Sequence, residues 1–133
     1  MMVGFHHQHR VRYGECDMQQ VVFNAHYLAF CDDAVDTWFR VALPGGFEKK
    51  LDWEFMLKKA VIEWQSPARL LEVIDMDVSI GRWGNTSFDV RIVGTVKDRS
   101  VFTATITYVG VALGTVDPLP TPDAIKTALS AGS

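Results

Sequence analysis

Three stretches in the second half of the chain alternate between apolar and polar residues. In 73–80, Ile74, Met76, Val78 and Ile80 alternate with Asp75, Asp77 and Ser79. In 87–96, Phe88, Val90 and Ile92 alternate with Asp89 and Arg91, and in 101–109, Phe102, Ala104, Ile106 and Tyr108 alternate with Thr103, Thr105 and Thr107. A period of two gives each strand one apolar face. Gly84-Asn85 and Lys97-Asp98-Arg99 supply turn chemistry between the stretches. The pattern predicts an antiparallel meander with one wet face and one dry face.

The first half changes period. Residues 5–15 read as extended, with Val11 and Tyr13 alternating against Arg10 and Arg12. Over 25–40 the spacing becomes three and four, through Leu28, Cys31, Val35 and Trp38 or Phe39, which predicts an amphipathic helix. Asn24 is its expected N-cap, Arg40 suits its last turn and Pro44-Gly45-Gly46 its stop. Residues 47–60 are mixed, Val61-Ile62-Glu63-Trp64-Gln65 reads as a short strand broken at Pro67, and Pro118 to Pro122 as a rigid connector. Thr121-Pro122-Asp123 then caps a short helix ending near Gly132. The dry face of the meander needs a cover, and the long helix is the element apolar enough to serve. The expectation is an α+β fold: one domain over 1–133, a curved antiparallel sheet wrapped around a central helix.

Composition narrows the function classes. With 48% hydrophobic residues in 133, a packed core is expected. The formal charge of −3 argues against nucleic acid, which calls for a basic stripe. No apolar run approaches a membrane span, and no basic-then-apolar leader opens the chain, so a soluble cytoplasmic protein is expected. Cys16 and Cys31 lack metal-ligand spacing and read as reduced thiols.

Asp17 is the candidate for chemistry. It is the acid that precedes the apolar crossover Val21-Val22-Phe23-Asn24-Ala25-His26-Tyr27. A carboxylate buried in such a crossover is costly unless paired, and the setting can raise its basicity. A turn or capping aspartate is the plainer role. Cys16 beside it has no visible base. His6, His7 and His9 resemble a metal cluster, with His7 and His9 on one strand face, but a third separated ligand is missing, so no metal is expected.

The residues Tyr13-Gly14-Glu15-Cys16-Asp17, Val21-Val22-Phe23-Asn24 and Tyr27-Leu28 resemble the hotdog-fold thioesterases of the 4-hydroxybenzoyl-CoA class and their short-chain acyl-CoA relatives. Ser66-Pro67-Ala68-Arg69-Leu70 resembles that family's later strand break, and Arg82-Trp83-Gly84-Asn85-Thr86-Ser87-Phe88 its following hairpin. The likeness spans roughly residues 10–120. It implies hydrolysis of an acyl-CoA thioester, without a metal or other cofactor. Asp17 would act as nucleophile or as base toward water, and the main-chain N–H of Asn24 would polarise the carbonyl. Val22, Phe23, His26, Tyr27 and Asp32 would meet the substrate, with Asp32 and Asp36 as alternative acids on the helix. A homodimer or homotetramer is implied, with the site between protomers and the sheets joined edge to edge.

The chain departs from the family in two places. Where many relatives carry glycine before the paired β-branched residues, it has Gln19 and Gln20. Where some relatives carry basic residues in the hairpin, it has Gly84-Asn85-Thr86, which leaves Arg69, Arg82 or Arg91 to meet CoA phosphates. An acyl-carrier-protein thioester is therefore a second substrate class. A non-catalytic acyl-binding module and an enoyl-CoA hydratase are the rival readings, the latter disfavoured by the nine residues between Asp17 and His26.

Overall fold

A computed structural model describes residues 4–130. Its element order is β1 (Gly4–Arg10), a 3-10 turn (Tyr13–Glu15), α1 (His26–Ala42), α2 (Phe47–Leu51), β2 (Trp53–Trp64), β3 (Val73–Trp83), β4 (Ser87–Val96), β5 (Arg99–Ala112) and α3 (Asp123–Ser130). The five strands form one antiparallel sheet in the order β1-β3-β4-β5-β2.

The alternation of the second half sets which face is dry. Ile74, Met76, Val78, Phe88, Val90, Ile92, Phe102, Ala104, Ile106 and Tyr108 are all buried. They pack under α1, which buries Tyr27, Phe30, Cys31, Ala34, Val35, Trp38 and Phe39. Each fully buried side chain of this size contributes about 1.5–3 kcal/mol, so this face, rather than helix propensity, holds α1 in place. Gly94 lies opposite Phe102, whose ring fills the space a Cβ would take.

The helix differs from expectation at its start. Its N-cap is Ala25, and no side chain caps it; Asn24 contributes only its carbonyl, which accepts the Tyr27 N–H at 3.3 Å. It runs two residues beyond Arg40, which is drawn into ion pairs with Asp36 and Glu48. Gly45 and Gly46 then turn the chain at φ 95° and 87°, the left-handed region that glycine enters freely.

Two other expectations are corrected. Residues 5–15 are not one strand, because β1 ends at Arg10 and residues 13–15 form the 3-10 turn. Val11 instead bonds main chain to main chain with Leu71 and Glu72. The mixed segment holds α2 and the first half of a twelve-residue strand. A bulge between Leu57 and Lys59 shifts the register of β2. Trp53 and Phe55 face the core before it, and Ile62 after it, so no single period of two spans the strand. The helix end expected near Gly132 lies outside the described residues.

Candidate active site

The crossover between β1 and α1 is a small hairpin rooted at Glu15. The Phe23 N–H donates to the Glu15 carbonyl at 3.0 Å, Cys16 bridges Val22, and the Asp17 N–H donates to Val21 O at 2.9 Å. Asp17-Met18-Gln19-Gln20 forms the tip, closed by Gln20 N–H to Asp17 O at 2.9 Å. The far limb lies against the strand break, with Val22 N–H on Ala68 O and Val21 bridging Arg69. Local turn chemistry thus carries Asp17 to the hairpin tip, on the limb paired with 21–23.

A cleft of about 470 Å³ opens there, lined by Asp17, Gln19 and 21–24 on one side, Trp64, Gln65, Ser66 and Pro67 on the other, and Tyr27. Asp17 is exposed rather than buried, against expectation, because the hairpin carries it out of the core. Its Oδ1 accepts the Gln19 N–H at 2.8 Å, while Oδ2 has no hydrogen bond among the described residues. The main-chain N–H of Asn24 likewise has no partner among the described residues. An acceptor oxygen and an open main-chain amide, one residue before the cap of α1, therefore share one cleft.

Of the other proposed substrate contacts, Val22, Phe23 and Tyr27 line this cleft and His26 and Asp32 do not. Tyr27 is buried, its phenol oxygen accepts the Ala68 N–H at 3.2 Å, and burial pushes its pKa up. His26 faces a second, larger cleft of about 1140 Å³ on the β1 side of the helix. Asp32 accepts the Tyr108 hydroxyl at 2.8 Å; burial, then the Asp32 charge, pushes the Tyr108 phenol upward. Asp36 is paired with Arg40. Glu63, on β2, is exposed and does not line the cleft.

The arginines are scattered. Arg69 is exposed beside the hairpin, its side chain making no hydrogen bond among the described residues. Arg82 is committed to Asp89 and Ser87. Arg91 is exposed on β4, between Ser79 and Thr105 in register, and none of the three lines the cleft. Burial, then the Glu15 and Asp17 charges, raises the Cys16 thiol pKa, and burial with Asp32 pushes Cys31 up to about 12. Both shifts disfavour thiolate. Among the described residues no cluster of three His, Cys, Asp or Glu is placed to hold a metal ion. His6 bonds Asp75 and Asp77, His7 Asp33 and His9 Glu15.

Sequence reasoning missed the group that roots the hairpin. Glu15 is only 7% exposed and accepts from the Arg12 N–H at 2.8 Å, the Arg12 guanidinium at 2.8 and 3.2 Å, and His9 at 2.9 Å. Burial raises its pKa, but these donors outweigh burial and hold it near 2. The three-residue spacing of Arg12 and Glu15 is the signal that was available.

A five-stranded antiparallel sheet packed against one long helix, with a polar hairpin at the helix start, defines a hotdog-fold protein. The chain matches the family model of the Thioesterase-like superfamily over residues 11–129 and belongs to that superfamily. No curated protein sequence matches it. Among solved structures it is similar to a 1,4-dihydroxy-2-naphthoyl-CoA thioesterase from Synechocystis, at 19% identity and TM-score 0.83, over 96% of both chains. A thioesterase-superfamily protein from Jannaschia shares 22% identity at TM-score 0.87, over 95% of this chain and 90% of that one. A Staphylococcus aureus protein solved in complex with CoA shares 17% at TM-score 0.85, over 96% and 83%. At these identities the likeness establishes the fold. Among the described residues no helix is long and apolar enough to cross a membrane.

Proposed function

We propose that the protein hydrolyses an acyl-CoA thioester, with Asp17 and the Asn24 main-chain amide as its reacting groups. The observation that carries this reading is that Asp17 and Asn24 line one cleft, each with a hydrogen-bonding position left open. The thioester oxygen sits on the Asn24 N–H, where the partial positive charge of the helix start stabilises the oxyanion. One such donor typically contributes about 2.7–4 kcal/mol. Asp17 takes a proton from the attacking water or attacks the carbonyl carbon itself. The carbon–sulfur bond then breaks and CoA leaves as thiolate. Water attack gives the free acid directly, whereas attack by Asp17 leaves an acyl–aspartyl anhydride that water then hydrolyses to the acid, restoring the carboxylate. Phe23, Tyr27 and Trp64 give the cleft an aromatic lining that suits an aryl acyl group.

The active unit in this reading is a homodimer joined along β2. That strand is a free edge of the sheet, twelve residues long, exposing Met56, Leu57, Val61 and Trp64. The other edge, β1, is seven residues and carries His6, Gln8 and Arg10 outward, a protected edge. Trp64 and Gln65 line the cleft, so a second copy on β2 would complete its outer wall. Val61→Asp is expected to leave a monomer by size-exclusion chromatography; an unchanged elution volume excludes this edge.

A panel of aryl, short and long acyl-CoA thioesters, scored by released thiol, tests the activity. Release from at least one substrate, reduced about 100-fold or more by Asp17→Asn in a folded protein, is expected. Acyl-CoA binding without release supports the non-catalytic module instead, and equal release by both proteins removes Asp17 from the mechanism.

A further inference from the structure

We propose that Glu15 is the positioning residue for Asp17, fixing the hairpin that carries Asp17 against the helix start that carries the Asn24 amide. The inference rests on the proposed thioester hydrolysis and adds to it a residue that does not line the reacting cleft.

Glu15 joins three elements through two separate sets of bonds. Its carboxylate takes four: Oε1 accepts the Arg12 N–H at 2.8 Å and faces His9 Nε2 at 2.9 Å, while Oε2 accepts Arg12 Nε at 3.2 Å and Nη2 at 2.8 Å. His9 belongs to β1, and its ring stacks on Phe30 of α1 with centroids 4.0 Å apart. The carboxylate therefore fastens the 3-10 turn to the end of the sheet and, through His9, to the flank of the helix. The main chain of Glu15 works in the other direction, since its carbonyl accepts the Phe23 N–H at 3.0 Å.

That last bond closes a loop of known ends. Asp17 lies two residues after Glu15, and Asn24 one residue after Phe23. The Cys16–Val22 bridge and the Asp17 N–H to Val21 O bond continue the closure toward the tip. The two proposed reacting groups are thus held at a fixed separation by a ladder whose first rung is Glu15. The ladder is exposed at its tip, where Met18 has no contact with the core, so the root is where its orientation is set. Buried Val11, Val22 and Phe30 hold the surrounding chain in place without the carboxylate. Loss of Glu15 is therefore expected to tilt the hairpin rather than unfold the protein. A misplacement of about 1 Å in a reacting group is enough to lower turnover about 100-fold.

The test is a double-mutant cycle on whichever thioester the wild-type chain accepts. Glu15→Ala is expected to lower kcat about 10- to 100-fold with KM within about threefold, and Glu15→Gln, which keeps an acceptor for the Arg12 N–H, to recover part of the loss. In an Asp17→Asn background the same Glu15→Ala change is expected to lower kcat by no more than about twofold, because a misplaced base matters only where the base exists. Amide hydrogen exchange reads the clamp directly: Asp17 and Phe23 amides are expected to lose about tenfold protection in Glu15→Gln, with the β3, β4 and β5 amides unchanged. A full Glu15→Ala loss persisting in the Asp17→Asn protein overturns this inference and leaves the functional reading standing. So does a loss of protection spread evenly over the sheet, or none at the hairpin. Full activity of Asp17→Asn, or no release from any thioester, overturns the functional reading and this inference with it.

Discussion

Two clefts flank the start of α1, and the smaller is the one that sets an open acid beside an open main-chain amide. The β1-side cleft, about 1140 Å³, gathers His9, Arg10, Arg12, Glu15, His26 and Asp33. Yet its buried acid is saturated by Arg12 and His9, and Asp33 is bonded to His7. The cleft on the other side, about 470 Å³, has a single carboxylate. That carboxylate keeps one oxygen open, and the neighbouring Asn24 amide has no partner among the described residues. Charged groups that satisfy one another build structure; groups left open can meet a substrate. What distinguishes the smaller cleft is that an open carboxylate oxygen stands together with an open main-chain amide. In the larger one Glu15 is saturated, and among the described residues the open positions belong to Arg10, His26 and one Asp33 oxygen.

The widest separation between them should appear in turnover. Asp17→Asn keeps an acceptor for the Gln19 N–H but removes the basic oxygen, and the expected loss is roughly 10²- to 10⁴-fold in kcat. His26→Ala, which alters the larger cleft one turn away, is expected to stay within about threefold of wild type. Steady-state kinetics on the same thioester compares the two. A His26→Ala loss equal to that of Asp17→Asn would move the chemistry to the other side of the helix.

A smaller effect separates the clefts by pH. Burial pushes the Glu15 carboxyl up, but the donors from Arg12 and His9 hold it near 2, below an unfolded value of about 4.3. A depressed folded pKa contributes stability that is complete above the unfolded value and is lost as pH falls toward the folded one. Allowing for the exposed position of Arg12, whose charge is partly screened, the contribution is on the order of 1–3 kcal/mol. Urea unfolding of wild type and Glu15→Gln should show a stability gap that is constant from pH 7 to 5 and shrinks between pH 4 and 2. A gap that does not change over that range would mean Glu15 is not held as an anion by this network.

How much of this was legible in the sequence follows from which forces act locally. The meander and α1 were readable because burial alone selects their faces: Phe88, Val90 and Ile92 point one way for the same reason that Cys31, Val35 and Trp38 do. The first half of β2 was not, because a bulge after Leu57 swaps its faces and destroys the period that pattern reading needs. Asn24 reads as a cap by residue type, whereas the structure caps the helix at Ala25, begins it at His26 and draws on Asn24 only through its carbonyl. The roles of Asp17 and Asn24 come from the family resemblance alone; what the structure adds is that both residues line one cleft. Glu15, by contrast, went unread as a site residue. Its partners His9 and Arg12 are close in sequence, but only folding packs Phe30 against His9 and makes the network internal.

The finest distinction concerns the hairpin tip itself. Gln20 holds φ at 62°, a left-handed conformation that crowds any Cβ. The conformation is imposed from both sides, by the Gln20 N–H bonded to Asp17 O and the Gln20 carbonyl bonded to the Leu70 N–H at 3.3 Å. Glycine would adopt it without strain, at the cost of a more flexible unfolded chain. The two terms partly cancel, so Gln20→Gly is expected to stabilise the protein by up to about 1 kcal/mol. Because Gln20, unlike Gln19, is not among the residues lining the smaller cleft, kcat should change by less than about twofold. Gln19→Gly, whose side chain does line the cleft, should alter KM more than stability. Thermal unfolding and steady-state kinetics on both variants decide between these roles. Equal KM shifts in the two would mean that the tip acts as one unit, and that strain at Gln20 is part of how Asp17 is presented.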